Sequence, residues 1–182
     1  MERYSDEELL SAFADPGRRE WAFTRLVEKY QQRLYHHIRR LVISHEDADD
    51  VLQNTFLKMW RGLEGFRGGS ELYTWLYRIA TREALTFLRR EKKNLFRPWE
   101  GYEKELEETL ESDEHFSGDA VLKQLHKALL HLPEKQRLVF HLRYFDNMPY
   151  AEMSQVLGTS EGALKASYHH AVKKVERYLT GD

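Results

Sequence analysis

The chain contains no cysteine, which excludes disulfides, thiolate metal sites and thiol nucleophiles, and suits a reducing compartment. It has no apolar run approaching the roughly 20 residues that cross a bilayer as a helix. The opening stretch "MERYSDEELLSAF" is acidic and lacks an apolar core, so it does not read as a secretory leader. These absences predict a soluble, cytoplasmic protein with no membrane insertion of its own. No stretch alternates apolar and polar residues with period two between turn signals, so no sheet is expected. No repeat recurs along the chain. Charge of one sign is also missing, since 28 Lys and Arg face 30 Asp and Glu, and the net value of −2 says nothing about a polyanionic partner.

Catalytic patterns are absent as well. There is no Gly-x-Ser-x-Gly, no phosphate-cradling glycine loop ending in Lys-Ser/Thr, and no His-Glu-x-x-His. The nine histidines include the adjacent pairs His36-His37 and His169-His170, and neighbours on a helix point about 100° apart, poorly placed to share one ion. No metal, no cofactor and no enzymatic activity are expected.

What is present is helical periodicity. Ser5-Asp6-Glu7-Glu8 has capping-box form and leads to Leu9, Leu10 and Phe13, with a stop at Asp15-Pro16-Gly17. Trp21, Phe23, Leu26, Val27, Tyr30, Leu34, Ile38 and Leu41 then recur at spacings of helical type, and Ser44 with Asp47 reads as the next cap. The loop "EGFRGGS" precedes a further apolar stripe through Leu72, Trp75, Leu76, Ile79, Leu85 and Leu88. Pro133 and Pro149 stand where first-turn prolines open helices.

Charge is unevenly distributed. From Glu100 to Asp119 nine acidic residues face Lys104 alone, so this span predicts an extended, flexible acidic linker. The resulting expectation is an all-α chain of two small helical domains, residues 1–97 and 119–182, joined by a linker at 98–118. Leu72 to Arg97 is the most basic part: Arg78, Arg82, Arg89, Arg90, Lys92, Lys93 and Arg97 oppose only Glu83 and Glu91. Near the C-terminus, "YAEMSQVLGTSEGALKASYHHAVKK" breaks one helix at Gly158-Thr159-Ser160 and starts another, the spacing of a helix-turn-helix. Gly158 suits a left-handed helix end, and Ser160 or Thr159 a cap. Ala163, Leu164, Ala171, Val172 and Val175 are expected in the core, with Lys165, Ser167, His169, His170, Lys173 and Lys174 on the outer face. Such donors suit phosphates and base edges, although an αα-hairpin in any bundle shows the same spacing.

Two blocks in this order resemble the extracytoplasmic-function group of bacterial sigma factors. The first is "FTRLVEKYQQRLYHHIRRLVISHEDADDVLQNTFLKMW" with "FRGGSELYTWLYRIATREALTFLRR"; the second is "LPEKQRLVFHLRYFDNMPYAEMSQVLGTSEGALKASYHHAVKKVERYL". The resemblance implies a region-2-like domain that binds RNA polymerase core and a promoter −10 element, and a region-4-like domain that binds a −35 element. It implies core contacts by Asp50, Gln53, Asn54 and Leu57, with Asn54 standing where relatives commonly carry Glu. It implies −10 DNA contacts by Arg67, Gly68, Tyr73, Tyr77, Arg78, Arg82 and Arg89, with Arg82 in place of a usual Asn. It implies −35 contacts by Thr159, Ser160, Glu161, Lys165, Ser167, Tyr168, His169, His170 and Lys173. A partner anti-sigma factor is implied too. Trp75 falls on the apolar stripe and reads as core, whereas Tyr73 and Tyr77 read as exposed. Opening a duplex costs about 1.4 kcal/mol per step, so the polymerase must supply most of the melting. A stand-alone helix-turn-helix regulator and a helical adaptor that binds only protein are the alternatives.

Overall fold

The computed structural model describes residues 4–94, 104, 108–110, 112 and 120–181, and every regular element among them is helical. Helix α1 (Asp6–Ala14) opens with the expected reciprocal cap: the Glu8 amide donates to Ser5 Oγ at 3.1 Å and the Ser5 amide to Glu8 Oε2 at 2.7 Å. Its buried face, Leu9, Ala12 and Phe13, lies on α2 (Arg19–Val42). Asp6 fixes the pairing by accepting from Tyr30 Oη and Lys29 Nζ, each at 2.6 Å.

Helix α2 buries Ala22, Leu26, Tyr30, Leu34, Ile38 and Leu41, the period of three to four that the sequence carries. It ends at Ile43, a β-branched residue held at φ 66°. Only about 1 % of that residue is exposed, so burial holds it in a backbone region that Ile otherwise avoids. Ser44 caps α3 (His45–Gly62) by accepting from the Asp47 amide at 3.3 Å. A 3-10 turn at Leu63–Gly65 and the 66–71 loop lead to α4 (Leu72–Asn94), which runs along both α2 and α3. Phe13, Phe23 and Trp60 meet edge-on, or tilted, where α1, α2 and α3 converge.

The second unit is α5 (Ala120–Leu130), α6 (Glu134–Phe140), α7 (Tyr150–Leu157) and α8 (Glu161–Thr180). Pro133 and Pro149 are the caps of α6 and α7, where a missing amide hydrogen costs no helical bond. Helix α6 widens into a π-helical segment, His141–Phe145, closed by the Asp146 amide donating to the His141 carbonyl at 3.3 Å. Leu125, Ala128, Leu129, Leu132, Phe140, Ala171 and Val175 form this unit's own small core.

The two units also pack on one another. Leu138, Val139, Leu142, Met148, Met153, Val156 and Leu164 join the first unit's apolar residues in one continuous core, and α7 packs along α4. Part of the acidic span between the units is also described. Positions 104, 108–110 and 112 are helical rather than extended, and Leu110 is fully buried in the main core. Burying this Leu contributes about 1.5–3 kcal/mol toward holding the segment against the core. The rest of the acidic span and Arg97 lie outside the described residues, and Lys92 and Lys93 outside the described side chains.

Candidate nucleic-acid interface and partner-docking face

The turn between α7 and α8 has helix-turn-helix geometry. Gly158 takes φ 63° and ψ 37°, and its amide donates to the Ser154 carbonyl at 2.9 Å, closing the left-handed end. A Cβ there would meet nothing within 4 Å, so the position needs glycine for its backbone and not for space. Ser160 then caps α8, accepting from the Ala163 amide at 3.4 Å. Thr159 Oγ1 turns back to the Leu157 carbonyl at 3.5 Å.

Helix α8 buries Leu164, Ala171 and Val175 and exposes Glu161, Lys165, His169, His170 and Lys173 along its outer side. Lys165 reaches Glu161 at 3.9 Å and lies 5.5 Å from the centre of the Tyr150 ring. Ser167 is half-buried; so is Tyr168, whose ring stacks at a tilt on Phe140 at 5.7 Å. Burial raises the Tyr168 phenol above its usual value, so it stays a neutral hydroxyl at physiological pH. Ala163, expected in the core, is exposed, because the buried face of the first turn is the one that carries Leu164.

On α3, Asp50, Gln53, Asn54 and Leu57 are all exposed on one face, and Val51, Thr55 and Met59 are buried on the other. Leu57 keeps 50 % of its surface in solvent. It edges a groove between α2 and α3 lined by Phe23, Val27, Leu52, Phe56 and Trp60, with Gln53 at the rim. In the sequence Phe23 and Val27 stand out only as members of the apolar series of α2. The signal for a groove is that this series covers more than one face of the helix, wider than a single buried stripe requires.

On α4 the basic residues divide. Arg82 and Arg89 are exposed, and Arg89 reaches Glu134 of the second unit at 3.3 Å. Lys58 of α3 pairs with Glu83. Arg67 and Gly68 are exposed on the loop, with Gly68 at φ 70°. Arg78 is half-buried at a shallow hollow formed by Phe66, Arg67, Ser70 and Trp75 together with Gln155 of α7.

Trp75 packs against the main core, partly buried, its ring 5.3 Å from Phe66. The expectation of an exposed Tyr77 is corrected: it is 0 % exposed and is not available to a strand in this arrangement. Tyr73 is half-buried beneath the Arg33 guanidinium, 4.2 Å from its ring centre. The cause is tertiary: the face of α4 that carries Tyr73 and Tyr77 is covered by Arg33 of α2 and by the second unit. Burial pushes the Tyr73 phenol up to about 12.

Asp146 lies at the centre of that cover. Its carboxylate accepts from His37 Nδ1 at 2.9 Å, from Arg40 and from Tyr77 Oη at 3.4 Å, while His37 Nε2 meets Thr81 Oγ1 at 2.9 Å. Burial alone would raise this carboxyl, but the His37 and Arg40 charges and hydrogen bonds prevail and hold it below the usual carboxylate value.

Comparison with known proteins bears on these surfaces. Residues 26–94 match the family model "Sigma-70 region 2" and residues 122–175 match "Sigma-70, region 4". The chain is 32 % identical over 174 residues to the RNA polymerase sigma-H factor of Pseudomonas aeruginosa, an alignment covering 87 % of this chain and 86 % of the relative. It is 25 % identical over 166 residues to the ECF RNA polymerase sigma factor SigW of Bacillus subtilis, covering 87 % of this chain and 89 % of the relative. Among solved structures, CnrH in complex with the cytosolic domain of CnrY superposes with a TM-score of 0.70 at 25 % identity, over 97 % of this chain and 98 % of that one. An exposed, glycine-hinged helix in the second match, a basic helix in the first, and similarity along nearly the whole length agree: the chain belongs to the extracytoplasmic-function group of the sigma-70 family of RNA polymerase sigma factors.

Proposed function

We propose that this protein binds RNA polymerase core in the cytoplasm, directs it to specific promoters and assists strand opening, with no catalysis of its own. The observation that carries this reading is the division of α8. Leu164, Ala171 and Val175 anchor it in the second unit, and the opposite side offers Lys165, His169, His170 and Lys173 to solvent just past a rigid turn. A helix presented in this way lies in a major groove, its cations on phosphates and its hydroxyl and imidazole groups on base edges. Ser167 and Tyr168 support that face, and Thr159, Ser160 and Glu161 stand at the end of α8 that enters first.

Asp50, Gln53, Asn54 and Leu57 form the docking face for core. Arg67, Gly68, Tyr73, Arg78, Arg82 and Arg89 serve the −10 strand, the arginines holding phosphates and the loop backbone coming close to an unstacked base. The working units are residues 1–97 and 119–182, with 98–118 between them. An anti-sigma partner fits the same surfaces, in line with the complex in which CnrH was solved.

Run-off transcription with purified core tests the reading. Lys165→Ala is expected to weaken a promoter that depends on its upstream element and to leave core binding intact, while Asp50→Ala with Gln53→Ala does the reverse. Failure of the chain to activate any promoter, or identical defects in the two variants, contradicts the assignment.

A further inference from the structure

Helix α8 opens with few side chains long enough to reach a base. From Glu161 to Ser167 only Glu161 and Lys165 are long and polar, and the exposed Gly162, Ala163 and Ala166 around them carry nothing beyond a methyl group. The backbone of these two turns can therefore approach a groove floor closely, and the direction of Lys165 becomes the deciding variable. Two contacts fix it. The Glu161 carboxylate, one turn earlier, lies 3.9 Å from the ammonium, and the Tyr150 ring lies beneath that ammonium, its centre 5.5 Å away. The first contact is an ordinary pair along one helix face. The second crosses the turn from α7.

Tyr150 is itself held. It is the first residue of α7, directly after Pro149 at φ −61° and ψ 147°, and it is half-buried and packs against the main core. The Arg143 guanidinium lies 5.2 Å from the centre of the same ring and donates to the Met148 carbonyl at 3.2 Å, so a second cation ties the ring to the loop before α7. A swinging lysine suits a phosphate, which it meets as a point charge from many directions. A base edge asks for one direction, and residues at the start of a recognition helix are the ones that meet base edges. A lysine ordered in advance has less freedom to lose on binding.

We propose that Tyr150 is a positioning residue for promoter specificity: its ring aims the Lys165 ammonium at a base edge of the upstream element, with guanine O6 and N7 the acceptors that suit it best, and leaves phosphate to Lys173. The proposal rests on the sigma-factor reading of α8. An exposed cation on a tyrosine face favours its held position about two- to fivefold, and that factor sets the size of the effect on base choice.

A promoter library randomised over the upstream element, transcribed by holoenzyme built from purified core and the full chain, reads base preference at each position from transcript counts. Lys165→Ala is expected to abolish a preference for guanine at one position. Tyr150→Leu is expected to weaken the preference at that same position about two- to fivefold and to spare the others, whereas Tyr150→Phe, which keeps the ring, retains it. Unchanged preference in Tyr150→Leu, equal losses at every position, or a loss in Tyr150→Phe as large as in Tyr150→Leu overturns the proposal. Proton NMR of the free chain gives a readout independent of promoters. The Lys165 ε-methylene signal, identified by its loss in Lys165→Ala, is expected upfield of those of the other lysines, to move downfield in Tyr150→Leu and to stay in place in Tyr150→Phe. If the wild-type holoenzyme selects bases but Lys165→Ala changes none of them, the proposal is overturned and the sigma-factor reading stands. If it selects none, that reading fails, and the NMR shift alone decides whether Tyr150 holds Lys165.

Discussion

Leu57 and Met59 are two residues apart on one helix and face opposite ways, and replacing each by alanine separates docking from folding. Met59 is 0 % exposed. Truncating a fully buried Met leaves a cavity as well as losing transfer energy, and Met59→Ala is expected to cost about 2–5 kcal/mol of stability. Leu57 is half exposed. Complete burial of a Leu contributes about 1.5–3 kcal/mol, so the half still in water has roughly 1 kcal/mol to gain when a partner covers it. With about 1.4 kcal/mol for each tenfold change, Leu57→Ala should weaken core binding about fivefold and destabilise the chain by no more than roughly 1 kcal/mol. Urea denaturation followed by circular dichroism reads the stability term, and fluorescence anisotropy of labelled chain titrated with core reads the affinity. The reasoning is refuted if Leu57→Ala leaves core affinity unchanged, or if its stability loss matches that of Met59→Ala.

Three other outcomes follow from particular contacts. His141 is fully buried, and burial first, then the Arg40 charge, push its imidazole well below the ordinary value of 6.5; below that pH the unfolded chain takes up a proton that the folded chain refuses, so stability falls by about 1.4 kcal/mol per pH unit for that group. Asp146, whose carboxyl is also held low, adds a further loss at more acid pH as it protonates; urea midpoints at successive pH values read both, and His141→Phe should flatten the first slope. Gly158→Ala meets no steric neighbour but forces a Cβ into a left-handed backbone, with an expected cost of about 1–2 kcal/mol by thermal melting, reduced in Gly158→Asn. Lys173→Ala on the exposed side of α8 should lower the slope of log affinity against log salt for duplex DNA by about 0.9 if it holds one phosphate; anisotropy at several salt concentrations measures it.

The local features of this fold were legible because each depends on neighbours in sequence. The Ser5 and Ser44 caps, the helix-opening prolines, the left-handed Gly158 and the face shared by Asp50, Gln53, Asn54 and Leu57 all follow from spacing and backbone preference. What escaped depends on residues far apart. The α4 pattern alone gives Tyr77 to solvent, because its cover is supplied by Asp146, sixty-nine positions later. Met148, Met153 and Val156 satisfy a local apolar stripe, and nothing in that stripe reveals that they complete a core shared with the first unit. The groove at Leu57 went unseen for a different reason: the spacing of Phe23 and Val27 marks an apolar helix face but does not reveal that this face lines an open groove.

Leu110 has a consequence for reach. A chain gains at most about 3.3–3.6 Å per residue, so a fixed point partway along a span limits how far the far end can travel. With Leu110 seated in the core, the stretch from there to Ala120 can extend no more than about 35 Å, whereas Asn94 to Ala120 without that anchor extends to about 90 Å. Two promoter elements lie a fixed distance apart along a duplex. While Leu110 stays seated, the second unit can therefore stand off from the core by little more than a third of the distance that the whole span allows.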